Sequence, residues 1–216
     1  SALGFPVTGT LTVKYRARWN HDDDDQDFYG YLSTDIGNPK KHTLTAHFFL
    51  RGSKDIDGDH ARSRTFVFDS ITDSYKESWN GRLYYGYLDL HRVGPIESAR
   101  LGRQVLNETP ISLYIDGLNV ESKPWKEAVS LQAGVYGGIP VHPYESSTSG
   151  DWIAGVWAQV RPWKGARVRA DYTAIRDDYR DDVQRNDLIG LSAWQQIADV
   201  LTLSGTYTIL DSSSRD

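Results

Sequence analysis

Cysteine and methionine are both missing from this 216-residue chain. Without cysteine there are no disulfides, no thiolate metal ligands and no covalent haem attachment. Without methionine there is no initiator, and the opening "SALGFP" reads as a processed chain whose signal peptide has been removed. Long apolar runs are missing too, and none approaches the roughly 18–20 residues that a membrane helix needs. That excludes helical spans only. Strands of a membrane barrel alternate lipid-facing with lumen-facing residues, so their average hydropathy is ordinary, and the mean hydropathy here is −0.53. Positive charge is in deficit, with 24 Lys and Arg against 29 Asp and Glu, which argues against a general nucleic-acid binder. Phenylalanine is scarce at six residues beside seven Trp and thirteen Tyr. Rings with a polar handle suit boundaries between apolar and aqueous surroundings.

What the chain does have is alternation. In "GTLTVKYRARWN", Leu11, Val13, Tyr15, Ala17 and Trp19 share one parity, and Thr12, Lys14, Arg16, Arg18 and Asn20 share the other. An extended strand sends successive side chains to opposite faces, so this segment has one apolar wall and one cationic wall. The pattern returns in "HTLTAHFFLRG", "VSLQAGVYG", "ARVRADYTA" and "LTLSGTYTI". Less regular runs lie at Asp27–Ile36, Arg82–Leu90, Ser98–Gln104, Ile111–Glu121, Trp152–Arg161 and Leu188–Gln195. No amphipathic helix stands out. Together these runs predict about eleven strands of roughly ten residues, the length that crosses a bilayer at a tilt.

The connections sort by length. "GNPKK", "VGPIE", "SKPWKE", "PWKG" and "QQIAD" are short and follow the even runs. The odd runs lead to longer polar stretches: "HDDDDQ", Ser53–Gly81, "GIPVHPYESSTSGD" and "RDDYRDDVQRND", with "VLNETP" the short exception. Short turns at one rim and long polar loops at the other are the asymmetry of outer-membrane barrels. The apolar wall, rich in Ala, Gly and Val, would pack a soluble core thinly but suits lipid. The expected fold is therefore all-β, an antiparallel transmembrane barrel, with the wall of Lys14, Arg16 and Arg18 turned to a water-filled lumen. Leu11, Val13, Leu44, Phe48, Leu131, Val156, Val168 and Leu203 are the expected lipid face. Trp19, Trp152 and Trp194 near strand ends, with Trp79, Trp125 and Trp163 in adjacent turns, would form an interfacial girdle.

Two neighbouring pieces, "ARLGRQVL" (Ala99–Leu106) and "YIDGLNVE" (Tyr114–Glu121), resemble a hairpin of porin-like Gram-negative outer-membrane proteins, including the alginate-export-like group. The resemblance covers about a tenth of the chain. It implies a porin-type barrel in the outer membrane and passive passage or export of hydrophilic molecules, and it brings no catalytic residues. Single-chain bacterial barrels have even strand numbers. About eleven strands, and a terminal "LDSSSRD" that reads as the start of another loop, predict that residues 1–216 are one domain, the N-terminal part of a larger barrel.

Chemical candidates are few. "HDDDDQD" offers clustered carboxylates for Ca²⁺, but nothing in it fixes ligand geometry, and a solvated hairpin loop is the simpler reading. "DIDGDH" (Asp55–His60) carries its glycine at the fourth position, where an EF-hand loop has it at the sixth. The histidines are scattered, and no nucleophile, base and acid come together in sequence, so neither an enzyme, a metal nor a cofactor is expected. The informative group is the expected pore lining: Lys14, Arg16, Arg18, Arg51, Arg100, Arg161, Arg167 and Arg169, with Asp116 and Asp171. Asp35 and Asp89 add to its acidic side. Rings of Arg and Lys select anions in pores, whereas a mutually neutralising network would only brace the wall. The expectation is a channel for small hydrophilic, mainly anionic, solutes. The alternative is a barrel that sheathes or docks a partner such as a multihaem cytochrome. Expected partners are membrane lipid, the solutes, and either a periplasmic or extracellular protein or further copies of the chain, with no nucleic acid.

Overall fold

A computed structural model describes residues 4–19, 24–56, 79–107, 110–126, 129–141, 150–179, 182–198 and 200–215. Among them there is no helix. The strands are β1 (Val7–Trp19), β2 (Asp24–Ile36), β3 (Leu44–Asp55), β4 (Trp79–His91), β5 (Ile96–Leu106) and β6 (Leu113–Ser122). There follow the two-residue β7 (Trp125–Lys126), then β8 (Ser130–Pro140), β9 (Trp152–Arg161), β10 (Ala166–Tyr179), β11 (Asp182–Ile197) and β12 (Leu201–Arg215). Eleven of them make one antiparallel sheet in chain order, with β7 paired to β8 off that path. β1 and β12 are the two ends of the order.

Every alternating run became a strand, and most strands are longer than their run. β10 continues to Tyr179 and β11 starts at Asp182. The stretch "RDDYRDDVQRND" is therefore mostly strand, and only Arg180 and Asp181 lie between, outside the described residues. "LDSSSRD" likewise continues β12 to Arg215 instead of opening a loop. β2 begins at Asp24, inside the acidic run. Charge disguises these segments as loop, but an antiparallel ladder only needs each charge on a face where it finds water or a partner.

Two compact units divide the chain: Ser1–Asn38 with Ala46–Gly86, and Pro39–Thr45 with Tyr87–Asp216. In the first, β1 and β2 pair without a slip from Val7 opposite Ile36 to Trp19 opposite Asp24. β2 and β3 pair from Asp27 opposite Asp55 to Ile36 opposite Ala46. In the second, one register shift interrupts the β5–β6 pairing between Ile96 and Ser98.

Within β4 the parity changes. Trp79 and Leu83 are exposed at odd positions, and Leu88 is exposed at an even one, with Asp89 buried beside it. The switch falls in "YYGY", where Phe49 meets the rings of both Tyr84 and Tyr85, at 5.0 and 5.6 Å. Two consecutive residues serving one face is the behaviour of a β-bulge.

The burial pattern inverts that of a soluble protein. β9 shows it most regularly: Trp152, Ala154, Val156 and Ala158 are exposed, and Ile153, Gly155, Trp157 and Gln159 are buried. Leu11 and Val13 on β1, Leu101 on β5, Val135 on β8, Ile189 and Leu191 on β11 are exposed as well. Buried instead are Asp25, Asp27, Ser53, Asp55, Asp89, Gln104, Asn119, Gln159, Arg169, Asp171 and Thr173. An apolar cluster lies on this polar side, in the second unit: Leu106, Leu113, Ile115, Tyr136, Ile153 and Trp157.

That cluster depends on two glycines. A Cβ on Gly155 would run into the ring of Tyr136, and one on Gly134 into the indole of Trp157. Each aromatic ring lies flat over a neighbouring strand's glycine, which lets Tyr136 hydrogen-bond Thr173 through their hydroxyls at 2.6 Å. Gln104, fully buried, lies along the sheet and donates to the carbonyls of Arg100 and Gly117 at 3.3 and 3.1 Å.

Candidate functional site

The polar face carries a series of guanidinium–carboxylate pairs, and strand register makes them. In the first unit Arg16 stands opposite Asp27, and Arg18 opposite Asp25. Arg18 donates to Asp25 Oδ2 from Nε and Nη2 at 2.9 and 2.7 Å. Arg16 donates to Asp27 Oδ2 from the same two nitrogens, Nε at 2.9 Å. The Tyr29 hydroxyl adds a third bond to that oxygen at 3.0 Å. Both carboxylates are buried, while the arginine side chains keep 32% and 28% of their surface. "HDDDDQD" thus contributes Asp25 and Asp27 as strand partners for arginines, with His21–Asp23 outside the described residues. Sequence reasoning missed both roles. The available signal was spacing: Arg16 and Arg18 on β1, like Asp25 and Asp27 on β2, stand two apart, so each pair shares one face of its strand.

Aromatic rings line part of this face. Tyr29, Tyr31 and Phe49 tile it with centroids 6.4 Å apart at each step, and Tyr84 follows Phe49 at 5.0 Å. Lys14 lies 6.0 Å and the Arg16 guanidinium 5.4 Å from the Tyr29 centroid. Arg51 stands opposite Tyr31 in the β2–β3 register, 6.0 Å from the Tyr84 centroid. Asp35 meets His47 Nδ1 at 2.6 Å.

In the second unit Arg100 donates to Asp89 Oδ2 from Nε and Nη2 at 3.2 and 3.0 Å, with Ser98 Oγ donating to Oδ1 at 2.9 Å. The Arg100 guanidinium lies 4.4 Å from the Tyr87 ring. Arg169 grips Asp171, two residues on along its own strand, with bonds of 2.7 and 2.9 Å to Oδ1. It also covers the Trp157 ring at 4.3 Å. Both members of this pair are buried. Arg167 stacks at 3.7 Å on Trp194, its register partner, which takes that tryptophan out of the expected girdle. Arg161 ends β9, exposed. A cavity of about 240 Å³ opens on this face, lined among others by Arg100, Asn119, Glu121, Trp157 and Arg169.

Asp116 departs from the set it was grouped with. It shares a parity with exposed Leu118 and lies opposite exposed Ile139 of β8. Its partner is Arg103, which holds both carboxylate oxygens at 2.7 and 2.6 Å. Arg100 and Arg103 are three apart, so an extended strand must send them to opposite faces. Arg103 and Asp116 therefore form a charged pair on the apolar face, between Leu101 and Val105 of the same strand. A second polar group on that face joins Arg185, Asp187 and the Tyr172 hydroxyl, which donates to Asp187 at 2.6 Å.

No group of three or more His, Asp or Glu is placed to hold a metal among the described residues. Among the described residues no helix is long and apolar enough to cross a membrane, which says nothing about crossing by strands. Comparison with protein-family models, with curated proteins and with solved structures gives no match.

Proposed function

We propose that the sheet is the wall of an outer-membrane β-barrel of a Gram-negative bacterium, a channel for small hydrophilic, mainly anionic, solutes. The inverted burial carries this reading. Exposed leucines and valines occupy the face opposite to buried Asp, Arg, Gln and Asn, on strands of both units. In water that arrangement loses on both faces, because it hydrates the apolar side and desolvates the charges. In a bilayer, lipid covers the apolar face and lumen water reaches the polar one. The exposed tryptophans fit the same reading. Trp19, Trp79 and Trp152 lie at strand ends beside the connections after β1, β3 and β8, and Trp125 and Trp163 lie between β6 and β8 and between β9 and β10. Rings at both margins of an apolar band are what two bilayer interfaces favour.

Mechanistically, such a wall acts by its field and its width, and no bond is made or broken. Cations on the face raise the local density of anions, and buried carboxylates subtract from that effect. Expression with a signal peptide, detergent extraction and reconstitution in planar bilayers is the direct test. Discrete conductance with a reversal potential on the anion side is expected. A protein that stays soluble and monomeric without detergent would end the membrane reading.

A second reading rests on one observation: Arg16, Arg18, Arg100 and Arg169 each have a carboxylate partner. Such pairing spends the field inside the wall, which suits a sleeve around a partner protein better than a selective pore. Haem absorbance copurifying with the chain, together with absent conductance, would favour the sleeve.

A further inference from the structure

Arg51 differs from Arg16, Arg18, Arg100 and Arg169, each of which holds a carboxylate. Among the described residues it has no carboxylate partner, and its buried Nε has no hydrogen-bond acceptor. Its surroundings are rings: Tyr31 across the ladder, Phe49 two residues earlier on the same face, and Tyr84. Arg82 brings a second guanidinium to 5.3 Å from the Tyr84 centroid. The planes of Tyr31, Phe49 and Tyr84 differ by only 20° and 24° at each step, so they present a nearly continuous pavement.

We propose that Arg51, Tyr31, Phe49 and Tyr84 form a subsite for a carboxylate carried on a flat ring. The chemistry has two halves. A guanidinium fork makes two parallel charge-assisted bonds to a carboxylate, which a point cation cannot match. A ring laid on the aromatic tiles buries apolar area and stacks, while its plane holds the carboxylate toward the fork. The tiles also keep water from one side of the guanidinium, which strengthens the ion pair. The charge half is not available at Arg18 or Arg169, whose guanidinium groups already bond carboxylates. A small inorganic anion would use the charge and leave the pavement idle. The proposal names a solute class for the polar face, and so rests on that face being open to solvent.

Benzoate is the probe, with acetate (charge, no ring), phenol (ring, no charge) and galacturonate (charge on a saccharide ring) as comparators. Binding is read by saturation-transfer NMR on the full chain in detergent. Benzoate should bind about tenfold more tightly than acetate or phenol, a difference lost in Arg51→Gln. Arg51→Lys should recover only part of it, because the ammonium keeps charge without the fork. Phe49→Leu should weaken benzoate and leave acetate unchanged, and it serves if Arg51→Gln fails to assemble. Galacturonate binding as tightly as benzoate with the same dependence on Arg51 supports the shared chemistry and makes the ring a sugar. Equal affinity of the unaltered protein for benzoate and acetate overturns the subsite, as does benzoate binding that a folded Arg51→Gln chain retains. Conductance is measured separately. Anion-selective pores without this binding sink the subsite alone, and the binding without conductance sinks the channel alone.

Discussion

The β1–β2 hairpin and the β9–β10 hairpin use the same two residue types on the same kind of face, and they use them differently. In the first, Arg16 and Arg18 reach across the ladder to buried aspartates while their own side chains remain about a third exposed. In the second, Arg169 and Asp171 sit two apart on one strand, both buried, with the guanidinium over Trp157. Water can replace a lost partner in the first case. In the second the guanidinium is buried, with the carboxylate and an indole among its neighbours. Desolvation is the larger part of a buried pair's energy, so the two hairpins should answer the same mutation very differently. The first hairpin keeps its cations near solvent, whereas the second buries its pair against Trp157.

The largest expected effect is at Asp171. Asp171→Asn strands a buried guanidinium and should cost about 3–5 kcal/mol in equilibrium unfolding. Replacing both members, Arg169→Met with Asp171→Leu, should recover most of that loss, since an apolar pair of similar volume has no charge to desolvate. An Asp171→Asn protein with an unaltered unfolding midpoint would show that water reaches the pair, and the contrast would collapse.

Next comes the contrast between faces. Val156→Arg puts a charge on the exposed apolar face of β9 and should cost about 2–4 kcal/mol in lipid, or block assembly. Thr202→Arg on β12, opposite Gln196, belongs to the polar parity and should be tolerated. Heat-modifiable mobility on gels reads both. Equal tolerance would mean that no lipid covers Val156.

A smaller effect separates two glycines. Gly155→Ala drives a methyl into Tyr136, displaces its bond to Thr173 and should cost about 1–3 kcal/mol, as overpacking does. At Gly30 in the first unit an added Cβ meets nothing within 4 Å, so Gly30→Ala should be silent by the same unfolding assay. A silent Gly155→Ala would mean the aromatic cluster is loosely packed.

Much of the sheet was legible because period-two alternation is a local property. Leu11, Val13 and Tyr15 could be placed together without knowing any neighbour. Strand ends were harder, since Asp24, Asp25 and the segment from Arg176 to Asp187 carry loop-like charge that only a partner strand makes tolerable. The site was legible as a face and illegible as pairs. Arg16, Arg18, Arg167 and Arg169 follow from parity, but their separate fates depend on which residue register brings opposite. Asp116 was assigned with the arginines by charge although its parity with Leu118 pointed the other way. The change of parity in β4 and the apolar cluster on the polar face have no local signature, because a bulge and a cross-strand ring over glycine exist only once strands meet. "DIDGDH" beyond Ile56 lies outside the described residues.

The smallest expected effect is the counterpart of Asp171→Asn in the first hairpin. Asp25 is buried but Arg18 is not, so removing the acid's charge leaves a cation that can turn to water. Asp25→Asn should therefore cost about 1 kcal/mol, the range of exposed pairs. Molar salt should shrink that cost, because screening already weakens a pair that solvent reaches. Arg18→Gln should cost somewhat more, since it leaves a buried carboxylate behind, although Arg16 Nη2 stands 3.8 Å from Asp25 Oδ2 and can take over. Function should move the other way from stability. Losing one negative charge makes the polar face more positive, and the reversal potential in a salt gradient should shift further toward anions. If Asp25→Asn costs as much as Asp171→Asn, both pairs are structural braces and the first unit's cations are not available to solutes. If it costs little and the potential shifts, exposure of the cation is what divides wall from selectivity surface.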